Sequence, residues 1–330
     1  MEWHVTNRQL SKKGDYLKRK IINSKTLLVV FMSLMTIFVV IFYRRPTPTI
    51  VSQNIERAEM LSQAKQLIDI EKLNKELNEK KVDKERSQQL TKTLQDAWKT
   101  LLKNETTKFD IAIYDNRTDI YVTYSNKPIP HFYTASIAKV AVLMEVLALD
   151  EKGIAGLSTQ EQRDAELMIT KSNNEVTHKF VKSRLGDYLE IDHLFAALNM
   201  SDTQANKESW GLIQTDALDQ VKLINAIFGE QPYNRQQDVT YIQQLMSRVD
   251  EEQQWGISKN ANRYYLKNGW LSLDGKTWLV NSIGKVADQN ADYSIAVLTE
   301  GNQTFTEGIK LIEKIAGETY KQIEQLTIKD

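Results

Sequence analysis

Three short polar motifs follow one another in the C-terminal two-thirds of the sequence, and together they could cleave an amide bond. The motifs are Ser136-Ile-Ala-Lys139, Ser172-Asn173-Asn174 and Lys267-Asn268-Gly269. A serine enzyme without a histidine base needs a hydroxyl nucleophile, an amine that removes its proton, a proton shuttle and a cationic anchor. These motifs supply all four groups.

The Ser-x-x-Lys spacing alone is weak evidence, because the sequence contains it three times. The copies begin at Ser62, Ser136 and Ser282. Ser62 belongs to a charged helical segment, and Ser282 to a predicted strand, where a three-residue spacing puts the serine and lysine on opposite faces. Ser136 instead precedes an apolar helix, which places Lys139 one turn away on the same face.

At the start of a helix, burial and the partial positive charge of the helix terminus both favour a neutral lysine. Lys139 could then accept the proton of Ser136. The alternative interpretation is a serine that caps the helix beside a surface lysine.

The other two motifs also have structural interpretations. Ser172-Asn173-Asn174 begins a predicted helix that extends to Leu185, and Ser and Asn are common helix caps. Lys267-Asn268-Gly269-Trp270 ends a predicted strand with a glycine, where a ligand could approach the backbone closely. A simple β-turn is the alternative. The order of the three motifs and their local context favour the catalytic interpretation.

Apolar periodicity predicts strands at both ends of this region and helices in the middle. A hairpin is expected over 109–125, helices over 137–149, 161–170, 174–185 and 215–228, strands over 264–269, 277–286 and 293–298, and a closing helix over 305–316. The strands at the two ends must pair in one sheet, so the helices form a separate lobe. A site at the seam between sheet and lobe is expected.

With these features in place, residues 105–320 resemble the class A β-lactamase and penicillin-binding-protein superfamily, and specifically the β-lactamase-like serine hydrolases of Gram-positive cell surfaces. Further matching stretches are Tyr133-Thr134-Ala135-Ser136, Asn174-Glu-Val-Thr with Arg184-Leu185-Gly186, Leu198-Asn-Met-Ser-Asp-Thr203 and Trp210-Gly211-Leu212. The resemblance implies an α+β fold, with a five-stranded antiparallel sheet flanked by helices on both faces and an all-α lobe.

The resemblance also implies a role for each motif residue. Ser136 would be the acylated nucleophile, Lys139 its base, and Ser172 the proton donor to the leaving nitrogen. Asn174 would hold the substrate amide and Lys267 the substrate carboxylate. Asn268, Gly269 and Trp270 would also contact the substrate. The backbone N–H groups of Ser136 and Trp270 would form the oxyanion hole.

This sequence departs from the class A pattern at several points. Asn173 stands where Asp is usual, and Asn268 stands where Thr or Ser would offer a hydroxyl to the substrate carboxylate. The stretch from Ser136 to Ser172 is shorter than in class A enzymes. No Glu-x-x-Leu-Asn occurs between residues 194 and 215 to supply the usual deacylation base, and Glu208 is the candidate substitute.

The N-terminal region indicates a membrane anchor. Residues 26–43 (TLLVVFMSLMTIFVVIFY) are free of charge and, at about 1.5 Å per residue, nearly span a hydrocarbon core of about 30 Å. A buried core helix and a cleaved signal peptide are alternatives, but no small-residue cleavage site follows. Seven lysines and arginines precede the run, so residues 1–25 are expected in the cytoplasm and the remainder outside the cell.

Residues 44–104 are expected to form a helical stalk between this anchor and the domain at 105–330. From about residue 52 to 102 the chain has no Gly or Pro, and its apolar residues recur mostly at helical spacing. The heptads break around 80–87, so a solvated spacer and a short self-associating coiled coil both remain open.

Composition excludes several other classes of protein. Lys plus Arg and Asp plus Glu both total 43, so no global charge favours nucleic acid, and the absence of cysteine excludes disulfides and cysteine-ligated zinc. The four histidines show no ligand pattern, so neither metal nor cofactor is expected.

These observations predict a membrane-anchored, extracytoplasmic serine hydrolase that acts on a β-lactam or on the D-alanyl amide of a peptidoglycan stem peptide. Two alternatives remain. One is a D,D-peptidase that binds penicillin and turns over β-lactams slowly, and the other is a catalytically weak cell-wall binding or scaffold module.

Overall fold

The computed structural model describes residues 65, 68, 71–73, 75, 81, 84–128 and 131–327. The chain forms two compact units, Met1–Asn78 and Glu79–Asp330. The predicted transmembrane segment at 26–43 lies outside the described residues, as does most of the N-terminal half of the stalk. Within the part of the chain that is described, no helix is both long and apolar enough to cross a membrane.

A five-stranded antiparallel sheet forms the centre of the second unit, as predicted. The strands of this unit, in chain order, are β1 (Lys108–Asp115), β2 (Ile120–Ser125), β3 (Phe132–Tyr133), β4 (Gln214–Thr215), β5 (Tyr264–Leu271), β6 (Trp278–Ala287) and β7 (Asp292–Asn302). The sheet order is β2-β1-β7-β6-β5, while β3 and β4 form a separate short ribbon. The first hairpin therefore pairs with the last strand, and β5 lies at an edge of the sheet.

Helices cover both faces of the sheet. They are α1 (84–101), α2 (Ala138–Leu149), α3 (Thr159–Thr170), α4 (Asn174–Phe180), α5 (Asp192–Ala197), α6 (Ala217–Phe228), α7 (Gln236–Met246) and α8 (Phe305–Thr327). Because both faces are covered, the central strand β7 reads as a nearly continuous buried run (YSIAVLT).

Two hydrophobic cores result. The first core lies between the sheet and the helical lobe, and it includes Ile283 and Ala296 from the sheet together with most of α2. The second core lies on the other face of the sheet, beneath α1 and α8. Apart from Lys139 and Glu145, the buried residues of helix α2 are apolar, which is expected of a helix buried at the centre of a lobe.

Helix α1 is part of the second unit rather than of a free stalk. Leu90, Leu94 and Trp98 are buried in the second core, and the Trp98 indole donates to Thr319 Oγ1 at 2.9 Å. The compact unit thus begins at Glu79, N-terminal to the predicted boundary at residue 105. The apolar spacing of α1 was visible in the sequence, but a helix-period pattern does not say which surface covers it.

The predicted helix over 174–185 forms in two parts. Helix α4 ends at Phe180, and residues Val181–Leu185 continue as a single π-helical turn that stops at Gly186, where φ is 85°. Arg184 within this turn donates to Glu161 at 2.6 Å and to Asp150 at 3.2 Å. These ion pairs tie the end of α4 to the neighbouring part of the lobe.

Candidate active site

The predicted nucleophile, Ser136, lies in a strained turn that leads directly into α2. Residues Ala135–Ile137 form a 3₁₀ turn, and Ala135 has φ of 48°, a region that non-glycine residues seldom adopt. Ser136, half-buried, follows immediately. Backbone N–H groups at the start of such a turn have no partner within the helix. The Ser136 N–H is thus suited to the predicted role in an oxyanion hole.

Contacts from the sheet and the lobe hold this turn. Asn281 on β6 donates through Nδ2 to the carbonyl oxygens of Tyr133 (2.9 Å) and Thr134 (3.1 Å). The Thr134 N–H donates to the Ile213 carbonyl at 2.9 Å. Backbone strain persists only where surrounding contacts impose it. These contacts supply that restraint.

Gly269 allows the edge strand to reach the nucleophile. A Cβ atom at this position would lie 2.8 Å from the backbone nitrogens of Ser136 and Ile137 and 2.8 Å from the Thr134 carbonyl oxygen. Real Cβ atoms do not approach backbone atoms so closely. The sequence predicted that a ligand could approach the backbone closely at this glycine. In the structure the group that approaches Gly269 is the turn that carries Ser136.

Lys139 projects from the first turn of α2 toward Ser136, as its spacing predicts. Its Nζ lies 2.6 Å from Ser136 Oγ, 2.7 Å from Asn174 Oδ1 and 3.0 Å from the Ser172 carbonyl oxygen. The side chain is fully buried. This amine therefore joins the first and second motifs, which are well separated in the sequence.

The environment of Lys139 favours the neutral amine. Burial, which removes the charged form from water, and the nearby charge of Lys267 together lower the pKa of Lys139 to about 6. At neutral pH a large fraction of this amine has a free lone pair. It can then accept the proton of Ser136, the step that an amine base must perform.

Ser172 is presented by a left-handed residue just before α4. Its φ is 57°, and the adjacent Asn173 caps the helix by accepting from the Val176 N–H at 3.1 Å. The helix-cap interpretation thus applies to Asn173 and leaves the Ser172 hydroxyl available. That hydroxyl lies 3.3 Å from Lys139 Nζ and 3.0 Å from Lys267 Nζ, so it bridges the two amines.

Lys267 is buried behind Ser172. Its Nζ donates to Ser172 Oγ and to the Asn268 carbonyl, both at 3.0 Å, and the side chain is fully buried. Burial lowers the pKa of Lys267 to about 7. The third motif therefore places a second amine, whose protonation state can change near neutral pH, next to the Ser172 hydroxyl.

The structure does not place the Asn268 side chain beside the other predicted substrate contacts. Consecutive residues of a strand point to opposite faces, so Asn268 points away from the face that carries Lys267. Its Nδ2 donates to the carbonyls of Gln253 (2.8 Å) and Trp255 (3.0 Å). The structure therefore differs from the prediction for this side chain, because the amide fixes the loop that precedes β5.

The side chain of Trp270 lies on the same face as Asn268. Its ring packs 5.3 Å from that of Phe305 and 6.1 Å from that of Trp255. Only the backbone of Trp270 therefore remains a candidate for the active site, which agrees with the predicted role of its N–H group.

Trp210 is a site residue to which the sequence analysis assigned no role. Its ring lies over Lys139, with the centroid 4.3 Å from Nζ. His178 packs against the same ring at 5.7 Å between centroids. In the sequence, Trp210 stood out only as part of the stretch Trp210-Gly211-Leu212, because no spacing rule predicts a contact between it and a lysine in a distant helix.

Glu208 differs in placement from the other predicted residues. It lies exposed in the loop before Trp210, and its backbone N–H donates to Asn206 Oδ1 at 2.8 Å. Ser282 and Lys285 lie apart from the site, since Ser282 accepts from the Ile257 N–H and Lys285 pairs with Asp292. Among the described residues, no group of three or more His, Asp or Glu side chains is placed to hold a metal ion.

Comparison with known proteins finds β-lactamases that match this part of the chain. A family model described as the β-lactamase enzyme family matches residues 162–323. The predicted resemblance is confirmed. The matched range contains the Ser172 and Lys267 motifs, and the Ser136 motif precedes it. A search of curated proteins by sequence finds no match.

Solved structures share the β-lactamase fold at low sequence identity. A class A β-lactamase from Bacteroides cellulosilyticus DSM 14838 is 18% identical with a TM-score of 0.63, over 72% of this chain and 99% of that chain. A β-lactamase from Chitinophaga pinensis DSM 2588 is 12% identical with a TM-score of 0.61, over 70% and 98%. The protein PBP-A is 18% identical with a TM-score of 0.59, over 71% and 97%.

Proposed function

We propose that this protein is a serine hydrolase that forms an acyl intermediate on Ser136 with a β-lactam or a D-alanyl peptide amide. The observation that carries the proposal is the 2.6 Å contact between Ser136 Oγ and the buried amine of Lys139. The lowered pKa of Lys139, about 6, makes that amine a base at neutral pH.

Acylation follows from this geometry. The Ser136 hydroxyl donates its proton to the neutral Lys139 amine while Oγ attacks the amide carbonyl carbon. The developing oxyanion is held by the backbone N–H groups of Ser136 and Trp270, a type of contact typically worth about 2.7–4 kcal/mol per donor. Asn174, exposed beside Lys139, is placed to hold the amide group of the substrate.

Breakdown of the tetrahedral intermediate requires a proton on the leaving nitrogen. Ser172 supplies it from Oγ and recovers a proton from Lys139, at 3.3 Å, or from Lys267, at 3.0 Å. Because Lys267 is fully buried behind Ser172, its charge acts on the substrate carboxylate largely through this hydroxyl.

Release of the acyl group is proposed to be slow. Glu208 is exposed, and among the described residues no hydrogen bond or ion pair joins it to Ser136 or Lys139, so it has no contact that would make it the base for the attacking water. This favours an enzyme that acylates readily and hydrolyses β-lactams slowly, as a D,D-peptidase does. A mutant of PBP-A, which shares the fold, forms an acyl-enzyme complex with penicillin G. A scaffold without activity has no need of a neutral buried amine beside a nucleophile.

Labelling of residues 79–330 with a fluorescent penicillin tests the proposal. We expect one labelled site, no label in Ser136→Ala, and much slower labelling in Lys139→Ala. The matched control is Ser282→Ala, which removes the serine of another Ser-x-x-Lys copy and should label like the wild type. A folded Ser136→Ala variant that still labels would exclude the mechanism.

The kinetics of release distinguish the two enzyme classes. With slow deacylation, β-lactam hydrolysis should show a burst equal to the enzyme concentration, followed by a low steady rate. Fast turnover without a burst would identify a β-lactamase with another base, and Glu208→Gln would then be the first variant to measure.

We also propose that residues 26–43 anchor the protein in the membrane, with residues 1–25 in the cytoplasm and the catalytic domain outside. The support is the uncharged run and its basic N-terminal flank. Protease treatment of intact cells should remove the domain and leave a short membrane-bound fragment. Recovery of the mature protein from the medium, beginning just after Tyr43, would show that the segment is a cleaved signal.

A further inference from the structure

Trp210 covers the one side of the Lys139 amine that polar groups leave open. Four polar atoms surround Nζ: Ser136 Oγ, Asn174 Oδ1, and the carbonyl and hydroxyl oxygens of Ser172, at 2.6 to 3.3 Å. The Trp210 ring lies over the same atom, with its centroid at 4.3 Å. At that distance no water molecule fits between the ring and the amine.

The indole is held firmly in this position. Trp210 is only 7% exposed. Its carbonyl oxygen accepts from Thr134 Oγ1 at 3.3 Å, and its ring packs against His178, whose Nδ1 lies 3.0 Å from the Tyr188 hydroxyl. Trp210 begins a short 3₁₀ turn that Ser209 caps by accepting from the Gly211 N–H. These contacts place the ring over the amine, although the buried indole Nε1 has no hydrogen-bond partner among the described residues.

Hydrolysis of an acyl-Ser136 ester needs a water molecule beside a base. The water oxygen attacks the ester carbonyl carbon, its proton passes to the base, and the carbonyl–Oγ bond then breaks as Ser136 recovers a proton. A base assists only within about 2.6–3.2 Å of that water. Lys139 Nζ, 2.6 Å from Ser136 Oγ, is a base that such a water could use if it reached the amine.

We propose that Trp210 sets the lifetime of the acyl-Ser136 intermediate by denying hydrolytic water a place beside the Lys139 amine. The inference rests on the proposed acyl-enzyme function and adds a positioning residue to it. The ring has two separable effects. Its π face favours the protonated amine, and its bulk keeps the amine dry.

Three substitutions separate these effects. Trp210→Phe keeps a ring and excludes water, Trp210→Leu keeps an apolar cover without a π face, and Trp210→Ala removes both. Trp278→Ala is the matched control, since Trp278 packs against Phe305 in the other core and has no contact with the site. Thermal unfolding of each variant reports whether it folds.

The first measurement is the loss of fluorescent penicillin label from residues 79–330. We expect Phe, Leu and control variants to lose label within about threefold of the wild-type rate, and Trp210→Ala to lose it about tenfold faster or more. A general base typically accelerates a reaction by roughly 10²–10⁴-fold, so a tenfold gain corresponds to partial assistance by Lys139. A folded Trp210→Ala with the wild-type rate of label loss would overturn the proposal.

The second measurement is the pH dependence of acylation, which a purely structural role of Trp210 would not move. Loss of the π face in Trp210→Leu should shift the acid limb to lower pH by about half a unit or more. Hydration of the amine in Trp210→Ala should shift it to higher pH. If Trp210→Ala does not fold, Trp210→Val takes its place in both measurements, and a folded Trp210→Val with the wild-type rate of label loss overturns the proposal. A wild-type protein that takes no label at all would instead refute the proposed function.

Discussion

Lys139 and Lys267 both place an amine beside the Ser172 hydroxyl, at 3.3 and 3.0 Å. Two ammonium groups so close together, both fully buried, would repel each other and lose their hydration. The lowered pKa values, about 6 for Lys139 and about 7 for Lys267, relieve this cost because either group can lose its proton near neutral pH. A neutral Lys139 with a charged Lys267 is the combination that acylation needs.

We predict that the acylation rate constant passes through a maximum near neutral pH. The rate should rise as Lys139 loses its proton, with a pKa of about 6, and fall as Lys267 loses its own, with a pKa of about 7. Stopped-flow labelling between about pH 5 and pH 9 measures the profile. A rate that climbs steadily through this range would show that the charge of Lys267 is not required.

Buried lysines also make stability depend on pH. Lys267 has a pKa of about 7 in the folded protein and an ordinary value near 10.5 when unfolded. Between these values the unfolded chain binds more protons, so the free energy of unfolding should rise with pH, by about 1.4 kcal/mol per pH unit per lysine. Burial of Lys267 lowers the free energy of unfolding by its full amount below pH of about 7, and this destabilisation disappears as the pH rises toward 10.5.

We therefore predict that Lys267→Met flattens the rise of unfolding free energy with pH. Urea unfolding between about pH 7 and pH 10 measures it. Lys276→Met, in the exposed turn between β5 and β6, removes an equal charge and should leave the slope unchanged. Equal slopes in wild type and Lys267→Met would show that Lys267 titrates normally.

At the scale of elements, the edge strand β5 meets the Ser136 turn through one glycine. A Cβ on Gly269 would lie 2.8 Å from three backbone atoms of residues 134–137, which cannot move aside as a flexible side chain can. The same contact brings the Trp270 backbone to the nucleophile. Gly269 thus couples the sheet to the lobe at the reacting atoms.

We predict that Gly269→Ala lowers acylation about a hundredfold or more, because displaced oxyanion donors cost roughly 10²-fold or more. Gly211→Ala is a matched control, since its Cβ would meet Ala135 Cα at 3.9 Å, an ordinary contact. Labelling rates and thermal unfolding of both variants check this. Full activity in Gly269→Ala would mean that the strand and the turn can separate without loss.

At the scale of the whole molecule, α1 completes the second core. Its apolar residues cover the sheet beside α8, with Trp98 fully buried. Loss of a large buried aromatic side chain typically costs about 3–5 kcal/mol. The catalytic unit therefore depends on residues that precede every predicted motif.

We predict that residues 79–330 fold cooperatively and that residues 105–330 are much less stable and expose apolar surface. Within the longer fragment, Trp98→Ala should lower the free energy of unfolding by about 3–5 kcal/mol, whereas Lys99→Ala, on the exposed side of α1, should change it by about 0.5 kcal/mol or less. Urea unfolding and binding of a hydrophobic dye measure both effects. If residues 105–330 were as stable as residues 79–330, the folded unit would not need α1, and the helix would belong to the stalk as predicted.

The sequence determined what depends on neighbours along the chain. The three-residue spacing on one helix places Lys139 beside Ser136, and apolar alternation predicts the strands that form the sheet. Strand alternation also predicts that Asn268 points away from Lys267. The resemblance instead implied that both residues contact the substrate.

Tertiary structure decided the contacts between distant segments. Nothing in the local pattern of Trp210 or Trp98 specifies the surface that each covers, because an apolar side chain packs against any apolar surface of suitable shape. Only the packed lobe puts the Trp210 ring over Lys139, and only the packed sheet buries Trp98 beneath α8. The shifted pKa values arise in the same way, since the burial that lowers them exists only after the two cores have formed.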